Sequence, residues 1–269
     1  MKRLTLIVGG VLIAWGALGV LNALGLIQVS VCGLFWALLF VAFGAWLIWG
    51  AVSRAPGTEE EEVAIPLEGA SAAHITISHA AGRFQLQGGA AADHVVEGRF
   101  TGGLLHRERR VGDRLDVDMR VRGEGVATAL LPWKWPTTRG AEWMVHLNEI
   151  IPLDVKIEGG ASDNRIDLAN LKVRDLRLET GASATKLTLP SSAGHTRAKV
   201  TCGAGTVEIR VPPGVAARIR ARSSLGEVKV DRGRFPAVSS GVYESPDYES
   251  ATDKVELMVE ASLGSAEVR

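Results

Sequence analysis

Apolar residues recur in pairs, two positions apart, at a nearly fixed interval along the C-terminal half of the chain. One series is Val155/Ile157, Leu176/Leu178, Ala198/Val200, Ile219/Ala221 and then Leu257/Val259, with steps of 21, 22, 21 and 38 residues. A second is Ile166/Leu168, Leu187/Leu189, Val207/Ile209, Val228/Val230 and then Ala266/Val268, with steps of 21, 20, 21 and 38. Small residues at Gly160, Gly181, Gly203, Ser224 and Ser262 lie between the two series and keep the same interval. The shared final jump is one period plus 17 residues, so a single insertion, residues 232–252, interrupts the repeat.

Alternation with period two is the mark of a half-buried strand. Each unit therefore predicts two short strands and a corner. The small corner residue answers a need for positive φ or for close backbone approach. One such rung cannot bury its own apolar face, whereas a stack of rungs can. The pattern predicts an all-β domain built as a single-stranded β-solenoid-like stack of two-strand rungs of about 21 residues. The same grammar occurs earlier, as Ile75/Ile77, Gly82 and Phe84/Leu86. Residues 93–148 are less regular, but Leu115, Val117, Met119 and Val121 predict one strand and Trp143, Val145 and Leu147 another. Between these lies Ala127–Pro136, read as a loop over one end of the core. The alternative is an interfacial or partner-docking loop acting through Trp133 and Trp135.

The first 53 residues follow a different pattern. Residues 4–24 and 29–52 are uncharged and apolar, each long enough to cross a bilayer as a helix. With a short link between them they predict a two-helix transmembrane hairpin over residues 1–53. A cleaved signal peptide is the rival reading of the first span, but its apolar part is long and no small-x-small cleavage site follows it. Lys2, Arg3 and Arg54 lie at the outer ends of the hairpin, which places both termini and the β domain in the cytoplasm. Residues 54–62, with Glu59–Glu62, read as an acidic linker rather than a cation site.

Charge and motifs narrow the function classes. The chain holds 30 basic and 30 acidic residues, a balance that argues against nucleic-acid binding. Cys32 and Cys202 are not expected to form a disulfide. The six histidines show no metal-ligand spacing and read as scattered surface residues. No CxxC, GxSxG or P-loop occurs, and Gly159–Asp167 is one incomplete copy of a calcium nonapeptide. No enzyme activity, cofactor or metal is expected. Arg197 and Lys199 on one rung, and Arg218, Arg220 and Arg222 on the next, alternate with apolar residues. Stacked, they form a basic ladder suited to lipid headgroups or an acidic partner, against the plainer reading of a solvated sheet face. The insertion carries Tyr243 and Tyr248 as candidate binding residues.

A family resemblance rests on these same residues. Val8-Gly-Gly-Val-Leu-Ile, Leu21–Ile27 and Phe35–Phe40 resemble the LiaI/LiaF-like transmembrane region of bacterial membrane proteins. Ile151-Pro-Leu-Asp-Val, Ile166-Asp-Leu, Leu178-Glu-Thr-Gly-Ala-Ser and Leu189-Pro resemble the LiaF-type C-terminal domain of the cell-wall-active antibiotics response family. Gly82-Arg-Phe-Gln-Leu-Gln-Gly is similar to the "toast-rack" N-terminal half of related envelope proteins. The resemblance divides the β domain into a toast-rack-like part, 63–148, and a LiaF-like part, 149–269. It implies a membrane protein of envelope-stress sensing, whose LiaF member restrains a two-component histidine kinase; other relatives are classed as adhesins. The function expected is a non-enzymatic, membrane-anchored regulator or scaffold. A structural or adhesin-like surface module is the alternative. Expected partners are membrane lipid, a membrane sensor kinase or other envelope protein, and a second copy of the chain.

Overall fold

Strand after strand buries every second side chain, as the period-two pattern requires. The computed structural model describes residues 60–121 and 142–269. The transmembrane hairpin and the loop carrying Trp133 and Trp135 lie outside the described residues. Among the described residues all elements are strands, and no helix is long and apolar enough to cross a membrane.

The chain runs β1 (Glu60–Pro66), β2 (Ala72–Gly88), β3 (His94–Thr101), β4 (Leu104–Val111), β5 (Arg114–Val121) and β6 (Glu142–Leu147). It continues through β7 (Leu153–Asp167), β8 (Val173–Thr180), β9 (Ala184–Thr188), β10 (His195–Cys202), β11 (Thr206–Arg210), β12 (Ala216–Ser223) and β13 (Glu227–Val230). The last elements are β14 (Ala237–Ser239), β15 (Val242–Glu244), β16 (Lys254–Ala261) and β17 (Ser265–Val268). β2 and β7 are each long enough to turn the corner and supply a whole rung. The other rungs are pairs of strands.

Rungs stack in parallel and in register. On one face the column Ile77, Ile157, Leu178, Val200, Val259 and Ala221 runs through the core. On the other, Leu86, Ile166, Leu187, Ile209, Val268 and Val230 do the same. All are buried except Ala221 and Val230, which belong to the end rung. The stack continues without a break across residue 149, because β7 pairs along its length with β2.

Two expectations need correction. The first concerns order. The last rung in sequence, β16/β17, is not last in space. It lies between β10/β11 and β12/β13, pairing in parallel with both. The insertion explains why: β14 and β15 form an antiparallel hairpin, and β15 pairs with β12. That hairpin occupies the outer edge of the end rung, so the returning chain enters the gap next to β10. The opposite end shows the same exchange. β5 and β6 pair with the outer side of β2, although they follow it in sequence, and antiparallel β4, β3 and β1 close that end. Antiparallel strands thus cover both open ends of a parallel stack, a known defence against edge-to-edge association.

The second correction concerns phase. Leu187 pairs with Ile209, not Val207, so the true step there is 22 residues. Val207 stands level with Thr185 and Asn164, which are buried polar residues that a search for apolar pairs passes over. At the corners close backbone approach, the second of the two readings, is the usual requirement. Among the corner glycines of the repeat, positive φ is confined to Gly82. Gly205, Gly226 and Gly264 are required instead by proximity: an added Cβ would stand 2.0 Å from Ser183 O, 2.1 Å from Gly264 O and 2.3 Å from Gly205 O respectively. In addition, Glu60–Glu62 belong to β1 rather than to the linker, with Arg99 Nε 2.8 Å from Glu62.

The rung order makes a direct prediction. Ending the chain at Thr252 removes a rung from inside the stack, so the amides of β12 and β13 should lose their protection in hydrogen exchange while those of β8 and β9 keep theirs. If β12 and β13 stay protected, β12 pairs with β10 and the order is wrong.

Candidate interaction surface

The basic residues singled out in the sequence do lie on one outer face, but they do not form a continuous basic ladder. β16 separates them. Glu256 stands between Arg197 and Arg218, Met258 between Lys199 and Arg220, and Glu260 beside Arg222. In the alternative order, with β12 directly on β10, Arg197 would face Arg218 and Lys199 would face Arg220 about 4.8 Å apart, which like charges oppose. The observed order replaces those repulsions with Asp175, Arg197, Glu256, Arg218 and Glu244 in alternating sign. Arg220 pairs with Glu256 at 3.0 Å, Lys199 with Glu260 at 3.0 Å and Arg197 with Asp175 at 4.0 Å. Arg222 has no ion pair among the described residues.

Arg218 is taken up by the insertion. It donates to Glu244 at 2.5 Å and Glu249 at 2.7 Å, and these bonds raise the guanidinium pKa above its ordinary value. Its guanidinium also lies 4.3 Å from the centroid of the Tyr248 ring. Tyr248 is buried and Tyr243 half-buried against the core. Burial raises the Tyr248 phenol pKa, partly offset by Arg218. Ser245 fixes the same junction: its N–H donates to Ala217 O at 2.9 Å, and its Oγ accepts from Ala217 N at 2.8 Å. The insertion therefore acts as an end cap.

Between the basic strands lies an open depression of about 310 Å³, lined by Met258 together with Arg177, Arg197, Lys199, Arg220, Asp175 and Glu256. Met258 is the feature the sequence reading passed over, and its signal was available: an apolar residue at an outward position of its strand. A half-exposed thioether ringed by long, paired side chains suits a broad protein contact better than a small ligand. Among the described residues no three His, Cys, Asp or Glu side chains are placed to hold a metal ion.

A second feature lies inside the first corner. His79 was read as a surface histidine, but it points into the core and is 2% exposed. Its ring packs 5.7 Å from Phe84 and 5.1 Å from Trp143, centroid to centroid. Neither ring nitrogen has a hydrogen-bond partner, nor do Trp143 Nε1 and Ser162 Oγ nearby. One rung further, Asn164 Nδ2 donates to Thr185 Oγ1 at 2.9 Å, and Thr185 Oγ1 lies 3.2 Å from Ser183 Oγ. The missed signal was parity: His79 shares its position in the alternation with Ile75 and Ile77.

Burial lowers the His79 pKa from 6.5 to about 4. The folded state thus resists protonation that the unfolded chain accepts. Stability is complete above pH 6.5 and falls as the pH drops toward about 4, by roughly 3 kcal/mol in all. Urea midpoints should fall between pH 7 and pH 5, a range in which ordinary carboxylates stay ionised. His79→Phe should flatten that dependence; an unchanged slope in the variant would assign it to other groups.

Comparison with known proteins follows the same architecture. The family model for the N-terminal domain of toast_rack, DUF2154, matches residues 54–210. The model for the cell wall-active antibiotics response LiaF C-terminal region matches residues 161–268. The two matches overlap within the continuous stack. A crystal structure of a candidate cell adhesion protein from Clostridium sporogenes superposes with a TM-score of 0.68 at 17% identity, covering 80% of this chain and 99% of that one. That likeness shows the fold. A candidate adhesin from Bacteroides fragilis aligns over 80% of this chain and 99% of its own at 6% identity, with a TM-score of 0.33, and carries no argument. No curated protein matches the sequence.

Proposed function

We propose, because the chain belongs to the toast-rack family and its C-terminal part matches the LiaF cell-wall-active antibiotics response region, that it is a membrane-anchored, non-enzymatic scaffold of the bacterial envelope response. The observation that carries the reading is the outer face of β8, β10, β16 and β12. Arg197, Lys199 and Arg220 are paired within the face, and the half-exposed Met258 among them is open to a partner. Such a face recognises a protein by complementarity of shape and charge pattern rather than by binding a small molecule. A membrane sensor kinase is the partner class that fits the family.

Anchoring rests on the apolar segments 4–24 and 29–52. Lys2, Arg3 and Arg54 favour a cytoplasmic β domain, whereas an adhesive role would need that domain outside. With Cys32 and Cys202 replaced and a cysteine placed at the exposed Ser240, an impermeant maleimide should label the protein only after lysis. Labelling in intact cells would reverse the orientation and favour the adhesive role.

The role itself is tested by deleting the gene and following a reporter of the wall-antibiotic response. The basal or induced level should change, the full chain should restore it, and Met258→Glu should fail to restore it while keeping the thermal midpoint. Full restoration by Met258→Glu would remove this face from the mechanism.

A further inference from the structure

The geometry points to the corner between the two strands of each rung as the edge that lies against the lipid bilayer, with Leu225 and Leu263 entering its interface. The inference rests on the membrane anchoring proposed above. Leu225 and Leu263 are 83% and 67% exposed. They occupy equivalent corners of neighbouring rungs: Leu225 N–H donates to Ser262 O at 2.9 Å, one residue before Leu263. Their backbone turns are held by the stack, so the two side chains project together from a fixed edge.

The rest of that edge carries no charge. Its corners read Ala80-Ala-Gly, Gly160-Ala-Ser, Gly181-Ala-Ser, Gly203-Ala-Gly, Ser262-Leu-Gly and Ser224-Leu-Gly. In a domain so rich in charged residues, an uncharged line across successive rungs permits close approach to an apolar surface. Of the carboxylates flanking it, Glu158 pairs with Lys156 at 2.5 Å, Glu179 with Arg177 at 2.6 Å, Glu260 with Lys199 at 3.0 Å and Glu227 with Lys229 at 3.3 Å, while Asp163 stands exposed beside its corner with no ion pair among the described residues. Arg222, three residues before Leu225, is exposed and free of an ion pair among the described residues, in position to meet a lipid phosphate.

What selects a bilayer as the occupant is where the chain enters. Glu60 pairs with Thr101, the neighbour of Phe100. Phe100 pairs with Trp143, and Trp143 with Phe84, two residues past the Gly82 corner. The chain therefore joins the domain at this edge. Residues 53–59 are all that separates it from the apolar segment ending at Val52, a reach of about 25–30 Å when extended. The 122–141 segment departs from Val121 and returns at Glu142, which are level with this same corner. A tether this short keeps the local lipid concentration high, so two leucines and one arginine are a sufficient contact.

The test uses the full chain with Cys32 and Cys202 replaced and a single cysteine at 225, 263 or 150, labelled with an environment-sensitive dye. Ile150 is the control, because it is 58% exposed and lies in the turn at the opposite corner, before β7. The protein is reconstituted into phosphatidylethanolamine/phosphatidylglycerol vesicles, and flotation is scored first. Dye at 225 and 263 should shift to the blue and be quenched about twofold by lipids spin-labelled near the headgroup, with dye at 150 unaffected. A protein that floats but shows the same emission at all three positions keeps its anchor and loses this edge contact. A protein that does not float overturns the anchoring and, with it, the inference.

Discussion

Parallel stacking in register is the constraint from which the rest of the molecule follows. Each residue of a rung meets its equivalent in the next rung at about 4.8 Å, so every position becomes a column that must tolerate itself. Inside, the columns are aliphatic. At the corners they are glycine, alanine or serine, because carbonyls of the adjacent turn stand where a larger side chain would go. Outside, the columns must avoid stacking like charges. These demands differ in kind, and each leaves a different trace in the sequence.

The outer columns help to choose the order of the rungs. Apolar columns discriminate less sharply, since both Ala221 and Val259 present an inward apolar side chain at the level of Val200. The charges do discriminate, because Arg197 and Lys199 would repel Arg218 and Arg220 if those rungs met. The rung with Glu256, Met258 and Glu260 resolves both contacts. The opposite face has an offsetting cost, since the same order brings Glu208 beside Glu267. Arg269 covers that pair, 3.3 Å from Glu208 and 2.8 Å from Glu267. The hairpin in the insertion then seals the far edge, locked by Arg218 to Glu244 and Glu249.

The repeat was legible because burial imposes a strict alternation, and the first apolar series matches the structural register at every rung. The second series slipped at Val207 because the equivalent inward positions, Asn164 and Thr185, are polar and satisfy each other inside the corner. Spatial order was hidden for another reason: a sequence repeat records which rungs are alike, not which are adjacent. Applying the cross-strand charge rule to Arg197, Arg218 and Glu256 would have exposed the exchange. The basic ladder is interrupted for the same cause, because the rung that carries Met258 separates its two basic strands. His79 was classed by residue type when its parity with Ile75 and Ile77 placed it inside.

The two edges of each rung have consequently taken on different work. The wide connections at one edge tolerate length and polarity, and there the chain inserted a complete capping hairpin held by Tyr248 and Ser245. The tight corners at the other edge tolerate almost nothing beyond small residues until the last two rungs, where Leu225 and Leu263 stand out from the ridge. A leucine on an exposed turn adds nothing to the core, and a polar residue would fit the same backbone. The packing rules that explain the inward columns therefore leave these two side chains unexplained. Their place on the edge where the chain enters the domain gives them a reason outside the stack, in what that edge meets.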